Sequence, residues 1–91
     1  MDEKLINAIS FIKSSKHRPK ILELISDEML TPSEISRKTN IRLNHVSMYL
    51  SDLKTNDIVV CLNEDTKKGR LYTLSKLGKR AILTLSHGVK E

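Results

Sequence analysis

The apolar positions of the chain recur with two different periods, and the change of period divides it into parts. Leu5, Ile6, Ala8, Ile9, Phe11 and Ile12 stand at helical spacing and predict a helix from Asp2 to about Ser14. Its apolar sector is wider than one core-facing stripe. Ser14-Ser15-Lys16-His17 reads as a break, after which Arg18-Pro19 opens a second helix ending near Asp27-Glu28. Pro19 sits in its first turn, where a missing N–H goes unused, and Ile21, Leu22, Leu24 and Ile25 form its buried face. Thr31-Pro32-Ser33-Glu34 then gives the clearest local signal. Thr31 can cap a helix, Pro32 takes its first position, and Glu34 completes a capping box. That helix is short, anchored by Ile35, and ends near Thr39-Asn40, with Ile41 packing in the turn. A fourth helix over 43–55 carries Leu43, Val46, Leu50 and Leu53 in a single narrow stripe.

After Asn56-Asp57 the period shortens. Residues 58–62 are a continuous, mostly β-branched run, and residues 70–74 form a matching return strand. The polar segment between them ends in Gly69 and predicts a hairpin. Ser75 caps a last helix with Leu77, Ala81, Ile82, Leu83 and Leu85, ending near His87-Gly88. The predicted fold is mainly α (α+β), in the order α-α-α-α-β-β-α, as one domain over 1–91.

Two short helices joined by a tight turn, the second amphipathic on a narrow stripe, make a helix-turn-helix. At about 100° per residue, the face opposite the stripe is centred on Met48, with Asn44, His45, Ser51, Asp52 and Thr55 around it. Ser47 and Tyr49 lie on its flanks. Short or polar side chains in the first half of that face can approach base edges, and Met48 can meet a thymine methyl. A hairpin directly after such a helix, with Lys67, Lys68 and Arg70 at its tip, is a two-stranded wing whose cations reach phosphates or the minor groove.

Charge supports a polyanion partner. The 91 residues carry a net charge of +5, and the excess is concentrated. Residues 37–80 hold ten Lys/Arg against four Asp/Glu, whereas residues 1–36 are slightly acidic. Concentrated positive charge is the footprint of nucleic-acid binding. Phe11, Tyr49 and Tyr72 are the only aromatics, too few for the stacking platform that single strands need.

From Arg18 to Arg80 the sequence resembles winged helix-turn-helix regulators of the MarR/ArsR-like superfamily. The resemblance rests on Ile21-Leu22-Glu23-Leu24-Ile25, Thr31-Pro32-Ser33-Glu34-Ile35-Ser36, Asn40-Ile41, Val46-Ser47 with Leu50 and Leu53, and Asn56-Asp57-Ile58-Val59. It closes with Gly69-Arg70-Leu71-Tyr72-Thr73-Leu74-Ser75-Lys76-Leu77-Gly78. It implies a dimeric transcription factor whose helix over 43–55 reads DNA. Two departures stand out: Ile41-Arg42 occupies the turn where the family has a small polar cap, and Asp52 adds a carboxylate to the exposed face.

The resulting expectation is sequence-specific double-stranded DNA binding by a transcriptional regulator, acting as a repressor. Arg42, Asn44, His45, Ser47, Met48 and Ser51 are the candidate recognition-helix contacts. Arg37, Lys38, Lys67, Lys68 and Arg70 are the candidate backbone and wing contacts, the wing spanning 63–70. The terminal helices, over 1–15 and 76–88, spread apolar residues over more than one face and predict a homodimer through Leu5, Ile9, Ile12, Ala81 and Leu85. The competing reading is a winged-helix protein-docking module, whose recognition face is buried against protein.

Other chemistries find little support. Cys61 is alone, which excludes an intramolecular disulfide and a Cys-rich zinc site. His17, His45 and His87 fall in three different elements, so no metal site is expected. No nucleophile–base–orienter set, Gly-rich phosphate loop or HExxH occurs, so neither an enzyme nor a cofactor is expected. Met1-Asp2-Glu3-Lys4 lacks a signal peptide's basic start, and no apolar run reaches membrane-span length. A cytoplasmic protein with no membrane contact is expected, and nothing in the sequence specifies a small-molecule effector.

Overall fold

The computed structural model describes residues 2–86. The chain runs α1 (Glu3–Lys13), α2 (His17–Asp27), α3 (Pro32–Thr39), α4 (Leu43–Thr55), β1 (Val59–Cys61), β2 (Tyr72–Leu74) and α5 (Lys76–Ser86). This is the expected order, with five helices and a two-stranded antiparallel wing. Boundaries differ in three elements: α2 starts one residue earlier, at His17, and both strands are shorter than their apolar runs. The expected end of the last helix, near His87-Gly88, lies outside the described residues.

One continuous core fills the space between the helices. Ile12, Ile21, Leu22, Ile25, Ile35, Val46, Leu50, Leu53, Ile58 and Val59 are its most buried large side chains. Burial of this kind is the main favourable contribution to folding, about 1.5–3 kcal/mol for each large aliphatic side chain. α1 packs on α5, and α2 packs against both α5 and β2. The Asp2–Arg80 ion pair, 3.1 Å long, joins the start of α1 to α5.

The helix-turn-helix is held by local polar bonds. At α3 the capping box forms: Thr31 Oγ1 accepts from the Glu34 N–H at 3.2 Å, and the Thr31 N–H donates to Glu34 Oε1 at 2.9 Å. Its other end stops at Asn40, which adopts a left-handed backbone at φ 65° and donates its N–H to the Ser36 carbonyl at 2.8 Å. Asn tolerates that conformation better than most side chains. The Ser36 hydroxyl donates to the Ile41 carbonyl beyond the turn, and Ile41 is buried. These bonds fix how α4 leaves the turn.

The wing has a third partner. Leu30, just before the α3 cap, forms an antiparallel bridge with Tyr72: its N–H donates to the Tyr72 carbonyl at 3.3 Å, and the reverse bond is 2.9 Å. β1 and β2 pair in the register Val59–Leu74, Val60–Thr73 and Cys61–Tyr72. Val59, Tyr72 and Leu74 point into the core, and Val60 points out.

The structure corrects two sequence expectations. Leu43, expected in the buried stripe of the fourth helix, is 48% exposed, because it lines the open groove between α4 and the wing instead of facing the core. The stripe is Val46, Leu50 and Leu53. Leu5, Ile12 and Ala81, expected at a dimer surface, are buried within one chain because α1 and α5 pack on each other. The apolar side chains these helices leave outside are Ile6 and Leu83, with Ile9 and Leu85 half-buried.

Candidate nucleic-acid interface

The sequence pattern gives α4 one outward face, but the helix presents two. Arg42, Asn44, His45 and Met48 are exposed and project away from the body. A second row, Leu43, Ser47, Ser51 and Lys54, stands at helical spacing and faces the wing. Between this row and the wing runs an open groove of about 570 Å³. Thr31, Pro32 and Ser33 at the start of α3 close one end, Lys67, Lys68, Gly69 and Arg70 form the opposite wall, and Tyr72 also lines it. Hydroxyls and cations therefore converge on a channel beside the recognition helix.

The start of α4 lacks a side-chain cap, because Arg42 occupies the cap position and makes no capping bond. Its carbonyl accepts from the His45 and Val46 N–H groups at 3.0 and 2.9 Å. The α4 N-terminus thus keeps the positive end of its helix dipole uncapped on the exposed side, with Arg42 beside it.

The wing is braced by side chains that the sequence pattern does not single out. Asn63 spans its neck: Oδ1 accepts from the Leu71 N–H at 2.8 Å, and Nδ2 donates to the Gly69 carbonyl at 3.2 Å. It substitutes for the ladder bonds that end at Leu62, whose N–H still donates to the Leu71 carbonyl at 2.8 Å. Gly69 has φ 68°, a left-handed conformation that glycine adopts without a Cβ penalty. Arg70 also braces the loop, donating from Nε to the Thr66 carbonyl at 2.7 Å and from Nη2 to the Glu64 carbonyl at 3.3 Å. Part of its donor set is therefore used inside the wing. Lys67 and Lys68 are exposed at the tip and make no ion pair among the described residues.

The candidate residues do not all converge. Ser47, Ser51, Lys67, Lys68 and Arg70 share the groove, whereas Arg42, Asn44, His45 and Met48 lie on the adjoining outward face. Lys38 lines a shallow depression with Lys20, Glu23 and Asp27 of α2, away from the wing. Arg37 is exposed near the end of α3. Sequence reasoning missed Thr31, Ser33, Leu43 and Lys54 as groove residues. The spacing of Leu43, Ser47, Ser51 and Lys54 was a usable signal, but the wing's position over it was not.

The Glu34 carboxyl lies below its ordinary range, chiefly because the Thr31 backbone N–H bonds to it; desolvation opposes that effect, and the Thr31 hydroxyl, Arg37 and Lys38 reinforce it. His17 packs its ring on Tyr49 of α4, with centroids 5.6 Å apart. Cys61 is half-buried, its Sγ 3.6 Å from Asn63 Oδ1. No group of three or more His, Cys, Asp and Glu side chains assembles among the described residues. No helix among them is long and apolar enough to cross a membrane.

No protein-family model matches the sequence, and a search of curated proteins finds no match. Solved structures do match. HlyU from Vibrio cholerae superposes with a TM-score of 0.78 at 20% identity, covering 100% of both chains. The homodimeric winged helix-turn-helix DNA-binding domain from Mycobacterium bovis gives 0.77 at 17% identity, over 91% of this chain and 76% of that one. The adhesin competence repressor AdcR from Streptococcus pyogenes gives 0.71 at 20% identity, over 91% of this chain and 66% of that one. At such identities the likeness is one of fold. The chain has the winged helix-turn-helix fold.

Proposed function

We propose that this protein is a DNA-binding transcriptional regulator that lays α4 in the major groove of duplex DNA and sets its wing on the adjoining backbone. The observation that carries the reading is the convergence of Ser47 and Ser51 of α4 with Lys67, Lys68 and Arg70 of the wing on one open groove. Beside it, Asn44, His45 and Met48 are exposed on α4. The division of labour follows from chemistry. Wing cations neutralise phosphates regardless of sequence, while Asn44, His45 and Met48 read base edges. Names of the fold neighbours support the same reading, since they include a DNA-binding domain and a repressor. Repression is the simplest consequence of occupying an operator.

The protein acts as a homodimer in this proposal. Ile6 and Leu83 are 46% and 58% exposed on α1 and α5, flanked by the half-buried Ile9 and Leu85. One of the fold neighbours is itself a homodimeric DNA-binding domain. Two-fold symmetry would place two α4 helices about one DNA turn, ~34 Å, apart.

The test is titration of random-sequence duplex DNA across a salt series, followed by selection of binding sites from a random pool. Binding that weakens steeply with salt, with a selected motif of two-fold symmetry, is the expected result. Met48 and Leu43, 49% and 48% exposed, favour a second reading in which α4 docks on protein. Salt-independent binding to a protein partner, with no affinity for duplex DNA, would establish that reading instead.

A further inference from the structure

We propose that Glu64 is an internal stand-in for a DNA phosphate, holding Lys54 neutralised in the groove and so lowering the sequence-independent part of DNA affinity. This rests on the reading of the groove as a DNA-backbone site. Lys54 lies in the last turn of α4, on the wing-facing row with Ser47 and Ser51. Its Nζ is 3.1 Å from Glu64 Oε1, at the base of the wing. Lys67 and Lys68, the other lysines lining this groove, make no ion pair among the described residues. Lys54 is therefore the groove lysine that already faces an anion.

A nucleic-acid strand between α4 and the wing would bring its phosphates to that same ammonium. The two side chains are 39% and 58% exposed, so water and salt screen the pair and a phosphate can replace the carboxylate. Replacement carries two penalties. Lys54 brings no counterion release of its own, because Glu64 has already compensated its charge. The displaced Glu64 carboxylate then faces the phosphates. Both penalties fall equally on every DNA sequence, because neither residue lies among the base-reading side chains of α4. Glu64 thus lowers the affinity for every duplex by a common factor, without touching a base and without changing the ratio between sites.

The test compares wild-type protein with Glu64→Gln, Lys54→Gln, the double variant and Asp65→Asn, titrated with a random-sequence duplex at several salt concentrations. Asp65 is the control because it is an exposed neighbouring carboxylate with no ion pair among the described residues. Glu64→Gln should bind about five- to ten-fold more tightly per protomer near 0.1 M salt, with a salt slope steeper by about 0.9. The gain should vanish in the double variant, and Asp65→Asn should leave the slope unchanged. Thermal melts verify that each variant is folded. An unchanged slope in Glu64→Gln, a gain equal to that of Asp65→Asn, or a gain surviving in the double variant would overturn the proposal. Weaker binding by Glu64→Gln would also overturn it, and would make the pair a brace for the wing. Wild-type protein that fails to bind duplex even at low salt is a different result, which defeats the groove reading itself.

Discussion

Gly78 lies flat against the peptide group of Ile58. A Cβ built on Gly78 would overlap the Ile58 carbonyl oxygen and stand 3.2 Å from the carbonyl carbon and 3.3 Å from Ile58 Cγ2. That carbonyl also accepts from the Ser75 N–H and hydroxyl, each at 3.0 Å, and the Ser75 hydroxyl in turn accepts from the Gly78 N–H at 3.0 Å. The first turn of α5 is thereby fixed to the residue that leads into β1. Replacing Gly78 by Ala should destabilise the protein at or above the top of the usual overpacking range of about 1–3 kcal/mol, because the obstacle is backbone. Urea unfolding measures it; a loss under half a kcal/mol would mean α5 shifts freely.

Wing cations should act on affinity and leave preference alone. Replacing Lys67 and Lys68 together by Ala should weaken binding to all duplexes nearly equally. The salt slope should fall by about 0.9 for each phosphate that the variant no longer neutralises. Arg70 should behave differently, because its guanidinium also holds the Thr66 and Glu64 carbonyls. Its Ala variant should loosen the wing as well, which amide exchange at Leu62 and Leu71 would report.

Substitution of Asn44 should relax preference at one operator position, by about 1–3 kcal/mol if it makes a bidentate base contact, with the melting temperature unchanged. Leu50→Ala, on the opposite side of α4, should instead cost about 2–5 kcal/mol of stability. A melt and a binding-site selection on both variants separate reading from folding on a single helix.

The Glu34 capping box gives a pH dependence of definite sign. Its folded pKa is depressed below the ordinary 4.5, so the ionised carboxylate stabilises the native state at neutral pH. That contribution is lost as pH falls through the folded value. Unfolding midpoints of wild type and Glu34→Gln should therefore differ most at neutral pH and converge in acid. Parallel curves down to the acid limit would count against an ionic cap.

Charge placed on the outer face of the terminal helices should separate the subunits. Leu83→Glu, or Ile6→Glu, should shift the protein to monomer in light scattering while preserving its helical content. Ala81 offers the contrast, being fully buried within one chain, so a change there should unfold the protein.

Local signals made most of the fold legible. Thr31, Pro32 and Glu34 define the start of α3 within four residues, and the capping bonds form as the pattern requires. The change of period marked the wing for a similar reason: the β-branched residues at 58–60 lead into and begin β1. What stayed hidden depends on residues distant in sequence. Leu43 is apolar and reads as buried, but its surroundings are set by Lys67 to Arg70. Leu5, Ile12 and Ala81 read as available to a partner because nothing local reveals that α1 and α5 share one core. Asn63 is unremarkable as a loop residue, since its role depends on where Leu71 and Gly69 return.

The bridge between Leu30 and Tyr72 has a mechanical consequence. Every residue assigned a DNA contact lies on the stretch between those two residues, whose ends are hydrogen-bonded to each other. That stretch is closed at its two ends by main-chain bonds, while its Ile35, Val46, Leu50 and Leu53 fill the core. Load applied at the wing tip travels down β2 to Tyr72, crosses to Leu30, and arrives at the Thr31 cap of α3. A pull on the wing is therefore shared between the α3 cap, reached through Leu30, and α5, which follows β2 directly.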